Sequence, residues 1–532
     1  MATIKFFNQF RFIILSLILT VGCSSLNYNP NRQKNEAVLK YTLTIMEPST
    51  HGYHVDLFCD GWVNDTIKFK MPKWMPGYYQ IMDYGKNVEN LIVKNKNGNN
   101  LQVVKQNENT WQLVVKKNTP FSISYDVKSD KKFVANNYLD STHGYIVPAA
   151  TFLYIKDHLN TPVSIRVVSN NQWKNIATGL DLLTDKQNEF FASDFDILYD
   201  CPILIGNLEE LPSFVVKNIK HRFIGYNLGD FNKVEFTNNL KKIVQTSVDL
   251  IGDIPYNQYT FIGIGPGYGG IEHLNNTTIS FNGNKLDDER TMKGVMKFIA
   301  HEYFHNYNVK RIRPYELGPF DYDKENRTNL LWVSEGLTVY YEYIVAKRAG
   351  VINEQDFILS LESNINRTEN NPGHNFQSLT QASYNTWSDG PFGQQGKSIS
   401  YYEKGPIIGL ILDLAIRNAT DNEKSLDDVM RQLYWHYYKE LGRGFTDAEF
   451  QQTCESIAGI SLNSEFEYVN TTKDIDYNKY LSYAGLKFEK KINPKAGYKR
   501  LVISKIENAN LKQKEILQTL LGDNIFTNQL SY

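Results

Sequence analysis

Between residues 37 and 210 the chain alternates apolar and polar positions with a period of two. In LKYTLTI (39–45), Leu39, Tyr41, Leu43 and Ile45 share one face of an extended strand. FSISYDV (121–127) repeats the pattern with Phe121, Ile123, Tyr125 and Val127. LIVKNKNGNNLQVV (91–104) is two such runs around Asn97-Gly98, a strong short-range hairpin signal. Short strands between polar turns predict an all-β, sandwich-like domain over 37–210. No ionisable cluster in that stretch suggests chemistry.

From about residue 233 the period lengthens. KVEFTNNLKKIVQTSVDLIGDI (233–254), TMKGVMKFIAHEYFHNYNV (291–309) and NLLWVSEGLTVYYEYIVAKRAG (329–350) each read as a helix, the last ending at Gly350. Further on, Ser425 stands three residues before Asp428 and Thr446 three before Glu449, both signs of a capped helix start. An α-rich region therefore follows the β-rich one, and the fold class expected is multidomain α+β. The sequence shows no internal repeat and no low-complexity tract.

Length and composition refine this picture. A chain of 532 residues exceeds one ordinary core and predicts several domains. Hydrophobic residues make up 42% and charged residues 22%, the balance of a soluble globular protein. The net charge of -1 gives no basic field to attract nucleic acid. The 34 tyrosines fit strand and core packing better than a polymer-binding groove.

The N-terminus, MATIKFFNQFRFIILSLILTVGCSS, has Lys5 and Arg11, an apolar run Phe12–Val21, then Gly22-Cys23. The run is too short to span a bilayer and fits an export signal. Gly22-Cys23 resembles the lipobox of bacterial lipoproteins, although Thr20 replaces the usual leucine three before the cysteine. The expectation is a signal peptide over 1–22, a lipid on Cys23, a polar tether over 23–36, and an exported, membrane-anchored protein in the periplasm or at the cell surface. Simple secretion or a short anchor is the alternative. Cys59, Cys201 and Cys454 form no metal-type pair and read as buried small hydrophobes. Any metal ligands must then be histidine and carboxylate.

HEYFHNYNVKRIRP (301–314) supplies them. A helix puts His301 and His305 one turn apart on one face, with Glu302 between them, in the H-E-x-x-H arrangement of a zinc hydrolase. Zinc needs three protein ligands and an open position. Glu302 cannot reach the metal from its place and is suited to act as the base. Glu335, set among Trp332, Leu337 and Tyr340, is the preferred third ligand, because a carboxylate on the buried side of a helix is costly unless paired or metal-bound. Glu342 competes for that role. Gly336 fits a need for close helix packing there. Lys310, Arg311 and Arg313 read as a solvated cluster pairing with a helix C-terminus, with binding of a substrate carboxylate as the minor alternative.

Taken together these pieces resemble the glycyl-aminopeptidase family of zinc metallopeptidases, in the wider glutamate-zincin group related to aminopeptidase N-type catalytic domains. KWMPGYYQIMDY (73–84) resembles the family's N-terminal signature and GGIEH (269–273) its Gly-Gly-x-Glu-His segment. HEYFHNYNVKRIRP and LWVSEGLTVYYE resemble its zinc helices, and SISYYEKG (398–405) and SLDDVMRQL (425–433) its helical region. The resemblance implies an N-terminal β-domain over 37–210, a thermolysin-like catalytic domain over 211–350 and a helical domain over 351–485. Residues 486–532, with one strand and one helix, are then a short tail or a remnant of a PDZ domain, reduced or absent here.

The resemblance also implies one Zn2+ per chain on His301, His305 and Glu335, with Glu302 catalytic. Glu272 would grip the free amine of a peptide substrate, and His273 would orient substrate or be structural. Tyr402 would donate to the oxyanion, with adjacent Tyr401 as the alternative. The implied function is zinc-dependent removal of N-terminal residues, small ones such as Gly or Ala. The rivals are an endopeptidase on the same site and a surface lipoprotein that binds without catalysis.

Overall fold

The computed structural model describes residues 38–523 apart from 130, 184–185 and 493–498; Cys23 and the segment before it lie outside the described residues. The architecture is α+β, with a β-rich N-terminal part and a helical C-terminal part. Two hydrophobic cores serve them. One gathers residues 39–205 with Ile224, Ile262, Ile271 and Tyr322; the other runs from Leu211 to Leu521 and includes Trp74 and Tyr79.

The N-terminal part is built around an eight-stranded sheet beside two four-stranded sheets. Strand Val38–Ile45 buries Leu39, Tyr41, Leu43 and Ile45, and Phe121–Lys128 buries Phe121, Ile123, Tyr125 and Val127, as the alternation requires. Gly52–Asp60 joins them, so Tyr41 faces Leu57 and Leu57 faces Ile123 across the ladder. The expected hairpin forms: Val93 pairs with Leu101, and Gly98 takes the left-handed backbone (φ +81°) that its turn demands. Val38–Ile45 also pairs in parallel with Val163–Ser169, a long-range choice that alternation alone does not reveal.

A second sheet carries the chemistry. Strands Ile219–Tyr226, Gln258–Ile264 and Asn276–Ser280 run parallel. Gly269–Glu272 lies antiparallel to the last of these and closes the sheet as an edge strand, with Glu272 opposite Thr277. Helix Lys233–Ile251 crosses between the first two strands and buries Phe236, Leu240, Ile243, Val244 and Val248, spaced as one helical face. Asn232 caps its start by accepting from Glu235 N–H at 3.1 Å, and Gly252 ends it with φ +91°.

The helical part includes Glu289–Phe304, Leu337–Arg348, Glu354–Glu369 and Tyr401–Ala419. Ser425 and Thr446 form capping boxes with Asp428 and Glu449, as their spacing predicted. The end of the chain differs from expectation. Residues 486–492 and 499–505 pair as a two-stranded hairpin before helix Leu511–Leu521, so a second strand accompanies the one read from sequence. This hairpin packs on helix Glu354–Glu369, where Asn366 bonds both the N–H and the carbonyl of Leu501. Cys59, Cys201 and Cys454 are free and buried.

Candidate active site

Helix Glu289–Phe304 begins at Asp288, whose carboxylate accepts from Thr291 N–H at 2.8 Å. It drives Met292, Met296, Ile299, Ala300, Tyr303 and Phe304 into the core. His301 and Glu302 come with them, 6% and 4% exposed. The helix stops at Phe304, five residues earlier than its apolar pattern suggests. His305 still has helical dihedrals and donates its N–H to His301 O at 3.2 Å, so the two rings stay on one face. After it, Asn308 turns inward and its carbonyl accepts from His305 Nδ1 at 2.7 Å.

That bond fixes the chemistry of the ring. A carbonyl only accepts, so Nδ1 carries the hydrogen and Nε2 of the neutral ring keeps its lone pair. The Asn308 amide donates to Val333 O at 2.8 Å and Thr338 Oγ1 at 3.0 Å, tying the histidine helix to the segment that bears Glu335. Sequence reasoning passed over Asn308.

Glu335 sits on a π-helical turn, Trp332–Gly336, not on the regular helix expected, which begins at Leu337. Such single wide turns re-aim one side chain out of the helical register. Gly336 makes this possible. A Cβ there would lie 2.6 Å from Gly405 Cα and 2.7 Å from Tyr401 O, so the turn seats directly on helix Tyr401–Ala419. The colliding atoms are backbone and cannot rotate away. Gly336→Ala is expected to lose about 1–3 kcal/mol of stability and part of the metal affinity. Chemical denaturation and metal analysis on the same preparation check both.

The result is a compact donor triangle. His301 Nε2 and His305 Nε2 are 3.0 Å apart, and Glu335 Oε2 is 3.2 Å from His305 and 3.8 Å from His301. Bonds of about 2.0–2.2 Å from a tetrahedral ion would set its ligands roughly 3.3–3.6 Å apart, and these spacings bracket that range. His301, His305 and Glu335 are all buried and their donor atoms lie within 4.8 Å of one another. The donor set and its spacing fit a zinc-sized cation. Glu342, the rival ligand, is on the far side: its carboxylate is 3.6 Å from His301 Nδ1. That is the place for an orienting carboxylate behind a ligand ring.

Electrostatics agree with this geometry. Burial pushes His301 well below its ordinary pKa. Burial works against charge on His305 too, but the carboxylates of Glu335, Glu272 and Glu302 carry it up to about 9. A proton and a cation thus compete for the same nitrogen. Burial drives the Glu302 carboxyl well above its usual range, and its Oε2 has no hydrogen-bond partner. A raised pKa makes a carboxylate a stronger base once its own proton has left. Burial pushes Glu342 up to about 7.

The remaining predicted residues fall around the triangle. Glu272, 4% exposed, ends the edge strand, and its Oε1 has no hydrogen-bond partner. It forms a second close group with Glu302 and His305. Tyr402 is half-buried with its ring 6.2 Å from that of His301. Burial, with Glu335 next, raises its hydroxyl well above the ordinary value, so it remains a donor. The Tyr401 hydroxyl is engaged with Thr386 Oγ1 at 3.0 Å. His273 is fully buried with Nδ1 3.2 Å from Asp200, while its Nε2 has no partner.

Two expectations are corrected here. Lys310 and Arg311 are not a solvated cluster. Lys310 reaches Asp200 at 2.8 Å and Glu272 at 3.9 Å, and these carboxylates outweigh burial to hold it charged. Arg311, 3% exposed, donates to the carbonyls of Asn306, Leu274 and Pro255. Arg313 is half-buried, and burial lowers its pKa. The β-rich part is also not silent. Asp200 comes from it and accepts from His273, Lys310 and Leu274 N–H, locking the turn after Glu272. Gly77, from the WMPGYY segment, is so close that a Cβ would lie 2.8 Å from both Glu272 oxygens.

Comparison with known proteins follows the same outline. Residues 40–207 match the family model of the M61 peptidase N-terminal domain, and residues 294–408 match that of the M61 glycyl aminopeptidase, together more than half of the chain. Among solved structures, an aminopeptidase N family protein from Idiomarina loihiensis aligns with a TM-score of 0.80 at 26% identity, over 86% of this chain and 80% of that one. An M1 zinc metallopeptidase from Deinococcus radiodurans shares the fold at TM-score 0.52 and 13% identity, over 83% and 96%. Native yeast LTA4 hydrolase does so at TM-score 0.52 and 12% identity, over 87% and 74%. A comparison with curated protein sequences gives no match. The two matched models are the two parts of one family in chain order, and the chain is a metallopeptidase of the M61 glycyl aminopeptidase family.

Proposed function

We propose that this metallopeptidase is a zinc-dependent aminopeptidase with one Zn2+ per chain, held by His301, His305 and Glu335 in a thermolysin-like catalytic region. The observation that carries the reading is the pairing of that donor triangle with Glu272, a buried carboxylate at the end of an edge strand whose Oε1 makes no hydrogen bond and has the Lys310 ammonium 3.9 Å away. A bound zinc ion supplies Lewis acidity toward a carbonyl and makes water more acidic.

The chain's own residues do the rest. Glu272 accepts the substrate's ammonium group and so sets the distance from the free N-terminus to the cut. Glu302 takes the proton from the attacking water and returns it to the leaving amine. Tyr402 donates its hydroxyl to the oxygen on which charge builds up, with Tyr401 behind it as support. Asp200 and Lys310 hold the Glu272 turn in place, and His273 belongs to that hydrogen-bonded group. Gly77 and buried Tyr79 wall the space beside Glu272, which supports a preference for small first residues such as Gly or Ala.

The test is a screen of aminoacyl reporter substrates with and without chelator. Zinc content should be about one per chain, and chelation should abolish turnover reversibly. His305→Ala should bring zinc to near zero at neutral pH, since two ligands hold it poorly. Full zinc content in that variant would contradict the ligand set.

We extend the reading to the N-terminus. Gly22-Cys23 after a short apolar run supports lipidation of Cys23 and anchoring of an exported protein at a membrane. Cys23→Ser should move the protein to the soluble fraction; continued membrane association, with no lipid on the wild type by mass spectrometry, would refute it.

A further inference from the structure

The two most exposed large hydrophobic side chains among the described residues are Tyr268, 94% exposed, and Phe392, 77% exposed. They are far apart in sequence, yet both lead to the same ring. Tyr268 stacks on half-buried Phe298 with centroids 6.1 Å apart and planes within 3°, and Phe298 lies 6.4 Å from the ring of His301. From the other side, Phe392 stacks on Tyr402 at 5.7 Å, and Tyr402 lies 6.2 Å from His301. Five rings form a continuous row through the site, with its two outer members in water.

The edge strand gives this row a direction. Glu272 is the last residue of Gly269–Glu272, and Gly270 lies against Glu302, where a Cβ would sit 2.6 Å from Oε1. A peptide with its amine at Glu272 and its scissile carbonyl beside Glu302 must run from the level of 272 toward that of 270. Continued, it passes Gly269 and reaches Tyr268. At about 3.3 Å per extended residue, Tyr268 is one to two substrate residues beyond the cut. Isolated exposed aromatics need no explanation. Two that end one row of rings through the site, each stacked on a ring beside His301, have one.

We propose that Tyr268 and Phe392 form an aromatic clamp for a large apolar or aromatic side chain on the carboxyl side of the scissile bond, at the second or third residue of the substrate. The favoured substrates are then peptides with a small first residue followed by aromatic or bulky aliphatic ones. This rests on the aminopeptidase reading above, which sets the direction of the peptide. The contact is ring on side chain, so the Tyr268 hydroxyl is dispensable.

The experiment compares the tripeptides Gly-Phe-Leu and Gly-Gly-Gly on the zinc-loaded full chain. Wild type should favour Gly-Phe-Leu about ten-fold or more in kcat/KM, the scale of one or two aromatic contacts. Tyr268→Ala combined with Phe392→Ala should remove most of that ratio through KM. Hydrolysis of Gly-Gly-Gly and zinc content should stay within two-fold, and Tyr268→Phe should behave as wild type. An unchanged ratio in the double variant, or an equal loss on both peptides, overturns the clamp. If wild type cuts neither tripeptide, the aminopeptidase reading fails by itself. The clamp is then decided by calorimetry with zinc-loaded Glu302→Gln: removal of both rings should weaken Gly-Phe-Leu binding about ten-fold, and an unchanged Kd overturns it.

Discussion

Glu302→Gln should retain its zinc and lose two to four decades of turnover. The range is what a positioned proton acceptor contributes to a reaction of this type. The retention follows from geometry: Glu302 is not a corner of the donor triangle, and the ligand distances do not involve it. Gln keeps the size of Glu, so Gly270, which lies against this carboxylate, meets nothing larger. What is lost is the proton-accepting oxygen, since an amide does not take a proton from water at neutral pH. Zinc analysis beside single-turnover rates tests the pair of outcomes. Full zinc with wild-type turnover would remove Glu302 from the mechanism.

Glu272→Ala has the second large effect, and it distinguishes among substrates. A buried carboxylate facing an ammonium group is a desolvated charge pair. Breaking such a pair costs roughly 3–5 kcal/mol, or about two to four decades in kcat/KM for substrates with a free amine. Zinc should remain, because Glu272 belongs only to the outer group and not to the triangle. The loss should combine non-additively with acetylation of the substrate. A blocked amine costs wild type the same contact, whereas the variant has no contact left to lose. Additive losses would show that Glu272 acts on something other than the amine.

Much of this was legible in sequence because it is local. Strand faces such as Leu39–Ile45, the caps at Ser425 and Thr446, and the histidine face of residues 301–305 depend on neighbours a few positions away. Glu335 was legible by a different argument, the cost of burying a carboxylate without a partner. Its π-helical turn was not, because that turn depends on Gly336 meeting Gly405 across a helix interface. The mistaken solvation of Lys310 has the same origin. A basic run after a helix looks solvated until Asp200, 110 residues earlier, folds against it. The edge position of Gly269–Glu272 and the row of rings from Tyr268 to Phe392 are likewise facts of sheet order and loop approach. The early end of the histidine helix is set by Asn308 turning in to serve His305 and the Glu335 segment.

The central claim is that this zinc site measures from a free N-terminus. Its most direct test is the ratio of kcat/KM for one small-residue peptide, free and N-acetylated, on the zinc-loaded wild type. The account predicts that acetylation costs at least a hundred-fold, at unchanged zinc content, because it removes the charge that Glu272 is placed to hold. Equal cleavage of the two forms would contradict it and make the enzyme an endopeptidase.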